Sequence, residues 1–450
     1  DRAGAQAFAL GEPQIAVRAG AIHVARLVRA RPLATAPAWD PARTVVITGG
    51  TGTLGALVAR HLITAHGVRH LCLLGRHGRA SAGAEALADE LSDLGAALTI
   101  AACDVSDRAA LAAALDACDP PVGGIVHAAG VTDDGLVGAL TAERLDRVWA
   151  GKAAAAVHLD ALTRERQLSA FVMFSSAAAT LGSPGQASYA AANACLDALA
   201  ARRRAAGLAA TSIAWGLWQP ASAITRKLDR VDHARIARAH VLPLAPAHGL
   251  ALLDAALATD RAQVVAARFD LLAMRGASHV ATVFRRLVPA STTAARPRGL
   301  AQRLAALPAA DRLAAIRDAV HDHVAAVLGH ASGAAIDGER TFKELAFDSL
   351  TGVELRNRLA ADAGLRLPAT LIYDYPTPAA LARYLDLQLR PPEADPGAAL
   401  LAQIEQALAR DAAFAARLRA LVASAPRAAE ADLTAKSDDE LFELVNHLGK

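Results

Sequence analysis

From Arg43 onward the chain alternates short β-rich runs with apolar helical stretches, and this order limits the fold more than any other feature. Strands are expected at Thr44–Thr48, His70–Leu74, Leu98–Val105, Gly124–Ala128, Ala170–Ser175 and Ala210–Trp215, with a late one at Gln263–Phe269. Between them helices are expected through Ala65 and over Ala84–Leu94, Arg108–Ala117, Ala142–Leu162 and Ala190–Ala206. Strict alternation predicts a Rossmann-like α/β fold, a parallel sheet with helices on both faces. With 450 residues the chain is long enough for two to four domains.

The flanks read differently. Residues 12–29 hold two alternating runs around Ala19-Gly20, a hairpin signal. Two lone strands cannot bury a core, so their partners are expected elsewhere. Residues 31–43 and the Pro- and Thr-bearing stretch 291–308 read as linkers. Leu313, Ile316, Val320, Val324 and Val327 then mark an amphipathic helix. Further helices start at Asp348-Ser349 and Thr377-Pro378, giving a small all-α bundle. After Pro391, Pro392 and Pro396, C-terminal helices are expected at Ala399–Val422 and Asp438–His447, the latter opened by a capping box at Ser437 and Glu440.

Composition removes several function classes. The net charge is +3 and only 4% of residues are aromatic, so neither a nucleic-acid surface nor a membrane surface is expected. The longest uncharged run, Ala177–Leu196, carries Gly, Pro, Gln and Asn and is not a membrane span. Arg202, Arg203 and Arg204 read as a solvated helix end. The four cysteines form no CxxC pair, which suits free thiols in a reducing, cytoplasmic setting. No signal peptide or metal-ligand spacing is evident, and with no initiator methionine the chain is expected to be a piece of something larger.

The chemistry concentrates in two loops and one strand–helix junction. Gly50-x-Gly52-x-x-Gly55 follows a strand and opens a helix, where glycines let backbone N–H groups approach a pyrophosphate. Arg76 stands where an NAD enzyme would carry an acidic residue, so a 2′-phosphate and hence NADPH is favoured. Asp104-Val105 ends the third strand, where an adenine amino group could be held. The small residues Ala128, Ala129 and Gly130 after the fourth strand allow close cofactor approach. For the adjacent His127, packing is weighed above a role as base.

Ser176 ends a buried strand and Tyr189 opens the next helix, so both can point at one carbonyl group. The serine would donate a hydrogen bond and the tyrosine a proton. A free phenol titrates near about 10, so releasing its proton near neutrality takes about 4 kcal/mol of differential stabilisation. Asn193 stands four residues after Tyr189 where a lysine could have stood; the nearest plausible ammonium is Lys152. Residues 217–240 are the natural place for a lid.

These residues carry a resemblance. TGGTGTLG, HAAG, Lys152, Ser176, Tyr189 and Asn193 look like the short-chain dehydrogenase/reductase superfamily. FSSAAATLGSPGQASYAAANACLDALAARR and IAWGLW resemble more closely the ketoreductases of modular polyketide synthases, in which lysine and asparagine exchange places as here. The resemblance covers about residues 12–290, with 12–29 similar to the tail of the structural half of such reductases. It implies Tyr189 as proton donor, Ser176 as the residue polarising a β-keto oxygen, Lys152 as the group that lowers the tyrosine pKa and holds the ribose, and Asn193 in the proton relay. It implies an NADPH site from Thr48, Gly50, Gly52, Thr53, Leu54, Gly55, Arg76, Asp104, Val105, Ala128, Ala129 and Gly130. Asp133, Asp134, Leu181 and Pro184 match positions bearing on stereochemistry and favour a D-configured hydroxyl; Thr132, and Ser188 where asparagine is usual, depart from that pattern.

The run FKELAFDSL followed by ELRNRL resembles the serine site of acyl carrier proteins, with Ala346 in place of the usual glycine. An N-cap is the ordinary reading of Ser349; the resemblance implies attachment of 4′-phosphopantetheine there. The terminal helices resemble dimerisation and docking segments. The expected organisation is 1–42 structural tail and linker, 43–290 ketoreductase, 291–308 linker, 309–389 carrier, 390–398 linker and 399–450 docking helices. The expected partners are upstream ketosynthase and acyltransferase domains, a phosphopantetheinyl transferase, the next synthase polypeptide and a second copy of the chain. Two rivals stand beside this reading, a carrier and docking module whose reductase is silent and a reductase of free ketones.

Overall fold

The computed structural model describes residues 12–32, 39–219, 236–237, 239–276, 280–288, 299–330 and 332–390. The chain divides into two compact units, Asp1–Asp386 and Leu387–Lys450. The second lies almost wholly outside the described residues, and with it the expected terminal helices; much of the expected lid at 217–240 also lies outside them.

A hairpin comes first, β1 (Ile15–Arg18) and β2 (Ala21–Val24), turning through Ala19 and Gly20 with φ of 51° and 79°. Two positive φ values give the tight turn a right-handed ribbon needs. The α/β body follows: β3 (Thr44–Thr48), α1 (Thr53–His66), β4 (His70–Gly75), α2 (Ala84–Asp93), β5 (Ala97–Ala102), α3 (Arg108–Asp116), β6 (Val122–His127), α4 (Ala142–Trp149), α5 (Ala155–Thr163), β7 (Ala170–Ser176), α6 (Ala177–Leu181), α7 (Ala187–Ala205) and β8 (Thr211–Trp215). After it come β9 (Val241–Leu242), α8 (Pro246–Leu257), β10 (Gln263–Ala266), β11 (Arg268–Phe269) and α9 (Leu271–Gly276).

Seven strands form one parallel sheet in the order β10-β8-β7-β6-β3-β4-β5. The expected fold class is therefore observed. Its strands are buried on both faces, and the pleat separates two cores. Val45, Ile47, Val172 and Phe174 face one core with α1 and α8, while Val46, Phe171 and Met173 face the other with α5 and α7. Strand order reverses between β3 and its neighbours β4 and β6, which opens a crevice at their carboxyl ends. The late run Gln263–Phe269 divides: β10 joins the sheet, whereas β11 pairs antiparallel with β9.

The carrier bundle comprises α10 (Leu300–Ala305), α11 (Ala309–Leu328), α12 (Ser349–Ala363), α13 (Leu371–Asp374) and α14 (Pro378–Leu389). The stretch read as a linker thus contains a helix. Leu300 and Leu304 are buried, and Asp362 of α12 accepts from the Leu300 amide and the Arg303 guanidinium at 3.2 and 3.0 Å. Its apolar spacing was too short to stand out between prolines. Ala346 has a φ of 62°, the left-handed region, which accounts for glycine being usual there. Among the described residues no helix is long and apolar enough to cross a membrane.

One expectation is overturned outright. The triple arginine at the end of α7 is not a solvated run, because Arg203 lies on the inward face with Leu196, Leu199 and Ala200. Its guanidinium, 1% exposed, bonds the 2%-exposed Asp160 carboxylate at 2.6 Å and stacks 4.0 Å from the Phe171 ring centroid. Arg164 and Arg202 also reach Asp160, at 2.6 and 2.9 Å. Burial alone would raise the Asp160 pKa, but the Arg203 and Arg164 contacts outweigh it and hold the carboxyl below its ordinary range. Asp160→Ala would strand a buried guanidinium and is expected to cost about 3–5 kcal/mol in chemical denaturation; a loss under about 1 kcal/mol would show the pair to be incidental.

Candidate active site

The glycine loop is shaped by close approach. Gly49 takes a φ of 68°, and a Cβ on Gly55 would lie 2.3 Å from the Gly49 carbonyl oxygen. Any side chain at 55 would push α1 off the loop. The α1 N-terminus has no side-chain cap, so its first N–H groups stay available to an anion. Leu54 and Ala128 border the same cavity as Ser176 and Tyr189. Arg76 follows β4 directly and is near enough to Asp104 to lower its pKa, behind the larger effect of the Ser106 hydrogen bonds. An uncapped helix end, a glycine-tight turn and an exposed arginine at the next strand fit a phosphorylated dinucleotide.

Lys152 comes into place through a local change of helix type. The expected helix Ala142–Leu162 is continuous but widens to π-helical winding over Ala150–Ala154. Such bulges recur at functional sites because they re-aim one side chain. Lys152 is 3% exposed, its Nζ donates to the Phe174 carbonyl at 3.0 Å, and it lies 5.5 Å from the Tyr189 ring centroid. Gly130 makes room for it, since a Cβ there would sit 3.1 Å from Nζ. Burial pushes the ammonium down to about 8, partly opposed by the charge of Asp197.

His127 serves this lysine rather than acting as a base. Its Nε2 donates to the Lys152 carbonyl at 2.9 Å and its Nδ1 accepts from Thr48 Oγ1 at 2.7 Å. It is fully buried and held neutral, its pKa pushed down to about 4 by burial and then by the Lys152 charge.

Tyr189, Asn193 and Asp197 recur every four residues on one face of α7. Ser176 and Asn193 lie near enough to the Tyr189 hydroxyl to pull its pKa down. Asn193 is fully buried; its Nδ2 donates to the Tyr189 carbonyl at 2.8 Å, while its Oδ1 has no protein partner. A buried oxygen of that kind is suited to a donor from a bound molecule. Ser176 caps α6, accepting from the Ala178 amide at 3.2 Å, which leaves its own proton free to donate. The short helix α6 follows Ser176 directly.

The expected lowering of the Tyr189 pKa is not observed in the protein's own field. Burial dominates and raises it, the neighbouring Ser176 and Asn193 side chains oppose this, and the Asp134 charge adds to the rise. Lys152 lies toward the ring and bonds Phe174, so it does not offset the burial. The phenol is accordingly held protonated.

Two neighbours were missed. Asp197, bonded to Ser212 Oγ at 2.6 Å and to Gln263 Nε2 at 2.8 Å, is the carboxylate that partly sustains the Lys152 charge. Ser175 is buried, donates to the Asn193 carbonyl at 3.3 Å and lies near enough to Asp197 to oppose the rise that burial gives its pKa. The i, i+4, i+8 spacing from Tyr189 was the available signal for Asp197.

These groups edge a cavity of about 440 Å³ also bordered by Leu181, Pro184 and Gln186. Asp133 and Asp134 do not line it. Asp133 bonds Arg144 and Arg147 at 2.7 Å each, and Asp134 accepts from Gln186 Nε2 at 2.9 Å, so both act on the loops around the cavity.

On the carrier, Asp348 is the N-cap of α12, paired with Thr351 in a capping box. Ser349 is therefore not the cap. Its exposed Oγ lies 3.3 Å from the Tyr373 hydroxyl, free of structural duty at a helix N-terminus.

Residues 43–220 match the KR domain family, and residues 318–385 match the family described as the phosphopantetheine attachment site. The spectinabilin polyketide synthase system protein NorA′ of Streptomyces orinoci is 50% identical over 405 residues, 88% of this chain. The chain belongs to the modular polyketide synthases. It carries a ketoreductase domain and a carrier domain of that family. The polyketide synthase GfsB of Streptomyces halstedii is 50% identical over 378 residues, 81% of this chain. The chain spans only 11% and 7% of these two synthases. A solved A-type ketoreductase from a modular polyketide synthase is 42% identical with a TM-score of 0.53, over 60% of this chain and 56% of that one.

A buried lysine pushed down to about 8 binds fewer protons folded than unfolded between that pH and its ordinary value of 10.5. Stability from this group therefore rises as pH climbs through that window. Lys152→Met is expected to keep or raise Tm at pH 7, and the difference should shrink toward pH 10.5. A Tm several degrees lower at pH 7 would mean that the ammonium stabilises the fold.

Proposed function

We propose that the reductase domain reduces the 3-keto group of an acyl thioester carried on phosphopantetheine at Ser349, giving a D-configured hydroxyl. The observation that carries this reading is that Ser176, Tyr189 and the buried Lys152 line one cavity, with Lys152 Nζ 5.5 Å from the Tyr189 ring centroid. NADPH, when bound, supplies the hydride. Thr48, Gly50, Gly52, Thr53, Leu54, Gly55, Asp104, Val105, Ala128, Ala129 and Gly130 would hold it, with Arg76 on the 2′-phosphate.

Ser176 donates to the keto oxygen and draws electron density toward it. The raised Tyr189 pKa keeps a proton on the phenol, ready for that oxygen as it becomes basic. Asn193 Oδ1 offers an acceptor for the relay that reloads Tyr189. Lys152, whose Nζ lies 5.5 Å from the Tyr189 ring centroid, would hold the ribose. Leu181 and Pro184 border the cavity and Asp134 supports Gln186 beside it, so these residues bear on which face of the ketone is presented.

We further propose that residues 43–290 form the reductase and the carrier body extends from Leu300 to 389, α10 included. Upstream ketosynthase and acyltransferase domains, a phosphopantetheinyl transferase, a second copy of the chain and a following synthase polypeptide are the proposed partners, in the cytoplasm.

With a free β-ketoacyl thioester, Tyr189→Phe is expected to slow NADPH oxidation by about 10²–10⁴-fold, as loss of a positioned acid does. The wild-type rate should fall above pH about 8, where Lys152 loses its charge. Unchanged turnover in Tyr189→Phe would remove the tyrosine from the chemistry, and an L-configured product would overturn the stereochemical assignment. Incubation with coenzyme A and a phosphopantetheinyl transferase should add one phosphopantetheine by intact mass, and Ser349→Ala should add none.

A further inference from the structure

The residue after the proposed attachment serine touches the reductase. Leu350, second in α12, lies against Gly185 in the loop between α6 and α7: a Cβ placed on Gly185 would be 3.2 Å from Leu350 Cδ2 and 3.5 Å from Cδ1. Gly185 and Gly182 take φ of 79° and 78°, so this loop has a shape that side-chain-bearing residues resist. It is also braced from behind. The Gly185 carbonyl accepts from the Gly135 amide at 2.7 Å, and Gln186 Nε2 donates to Asp134 at 2.9 Å. Either side of the contact, Pro184 and Gln186 border the cavity that holds Ser176 and Tyr189. Ser349 itself is exposed.

We infer that the bare backbone at Gly185 is a seat for Leu350, through which the chain's own carrier docks at the rim of the reductase cavity. The seat requires glycine twice, for its left-handed φ and for the room an alkyl side chain occupies. The contact is apolar and small, fitting a partner that must leave again after each delivery. It sets the direction of approach: an arm beginning at Ser349 starts beside Pro184 and Gln186. The two braces make Asp134 and Gly135 supports of the docking loop.

This inference rests on the proposed function for its purpose, but not for its test. Holo full-length chain, wild type, Leu350→Asp and Leu350→Met, would be compared by amide hydrogen exchange over residues 182–186. Aspartate in the first turn of a helix suits the helix dipole, so Leu350→Asp keeps α12 folded. Exchange over 182–186 is expected to be several-fold faster in Leu350→Asp and near wild type in Leu350→Met. In the same proteins, with β-ketoacyl loading quantified by intact mass, reduction of the tethered substrate should slow about tenfold in Leu350→Asp while a free thioester is reduced at the wild-type rate. Equal exchange in the wild type and Leu350→Asp would overturn the seat, as would equal slowing of tethered and free substrates. A wild type that reduces neither substrate would sink the catalytic proposal, and the exchange comparison would still decide the docking contact.

Discussion

The site depends on keeping one ammonium out of water. Lys152 sits in a dry pocket where burial works against its charge, and three features of the fold make that tolerable. The Phe174 carbonyl accepts its proton, Asp197 supplies an opposing charge through the protein, and Gly130 leaves the space its side chain needs. Its backbone is fixed by His127, which is fixed in turn by Thr48. The ends of β3 and β6 and the π-turn are thus joined by one hydrogen-bonded chain at the point where the sheet order reverses.

The opposite behaviour of Tyr189 follows from the same dryness. Excluding water penalises phenolate and ammonium alike, so the phenol stays protonated and the ammonium becomes easier to discharge. Burial thus drives the two pKa values apart, the phenol's up and the ammonium's down to about 8, beside Asn193, whose Oδ1 faces no protein donor. Placing Tyr189, Asn193 and Asp197 on one helical face holds all three with a single element, and α7 is anchored at its far end by Arg203 in the Asp160 pocket.

Much of this was legible in the residues, for physical reasons that also explain what was not. Alternating buried strands and helices have strong periodicity, so the sheet and its crevice could be read. Gly50, Gly52 and Gly55 could be read because backbone approach leaves a mark in residue type. Ser176 and Tyr189 could be read as a strand end and a helix start able to share one carbonyl, and Lys152 as the nearest plausible ammonium; the resemblance gave them roles, and the structure brings them to one cavity. Arg203 was misread because three consecutive arginines look alike along the chain, and only the helix angle separates the buried one from its neighbours. The π-turn was invisible, since nothing in Ala150–Ala154 distinguishes five-residue from four-residue winding. The direction of the Tyr189 shift was missed because burial cannot be read from the tyrosine itself. On the carrier, Asp348 rather than Ser349 proved to be the cap, a choice between adjacent capping residues that only backbone geometry makes.

The proposed substrate is carried on one serine, Ser349, so a single covalent species decides whether carrier and reductase work together. Full-length protein would be loaded at Ser349 with a β-ketoacyl phosphopantetheine, mixed with NADPH, quenched, and the Ser349 peptide weighed. A gain of two hydrogens on the tethered acyl group, matched by NADPH consumed, is the result predicted here. A loaded peptide of unchanged mass, in protein that still binds NADPH, would contradict it.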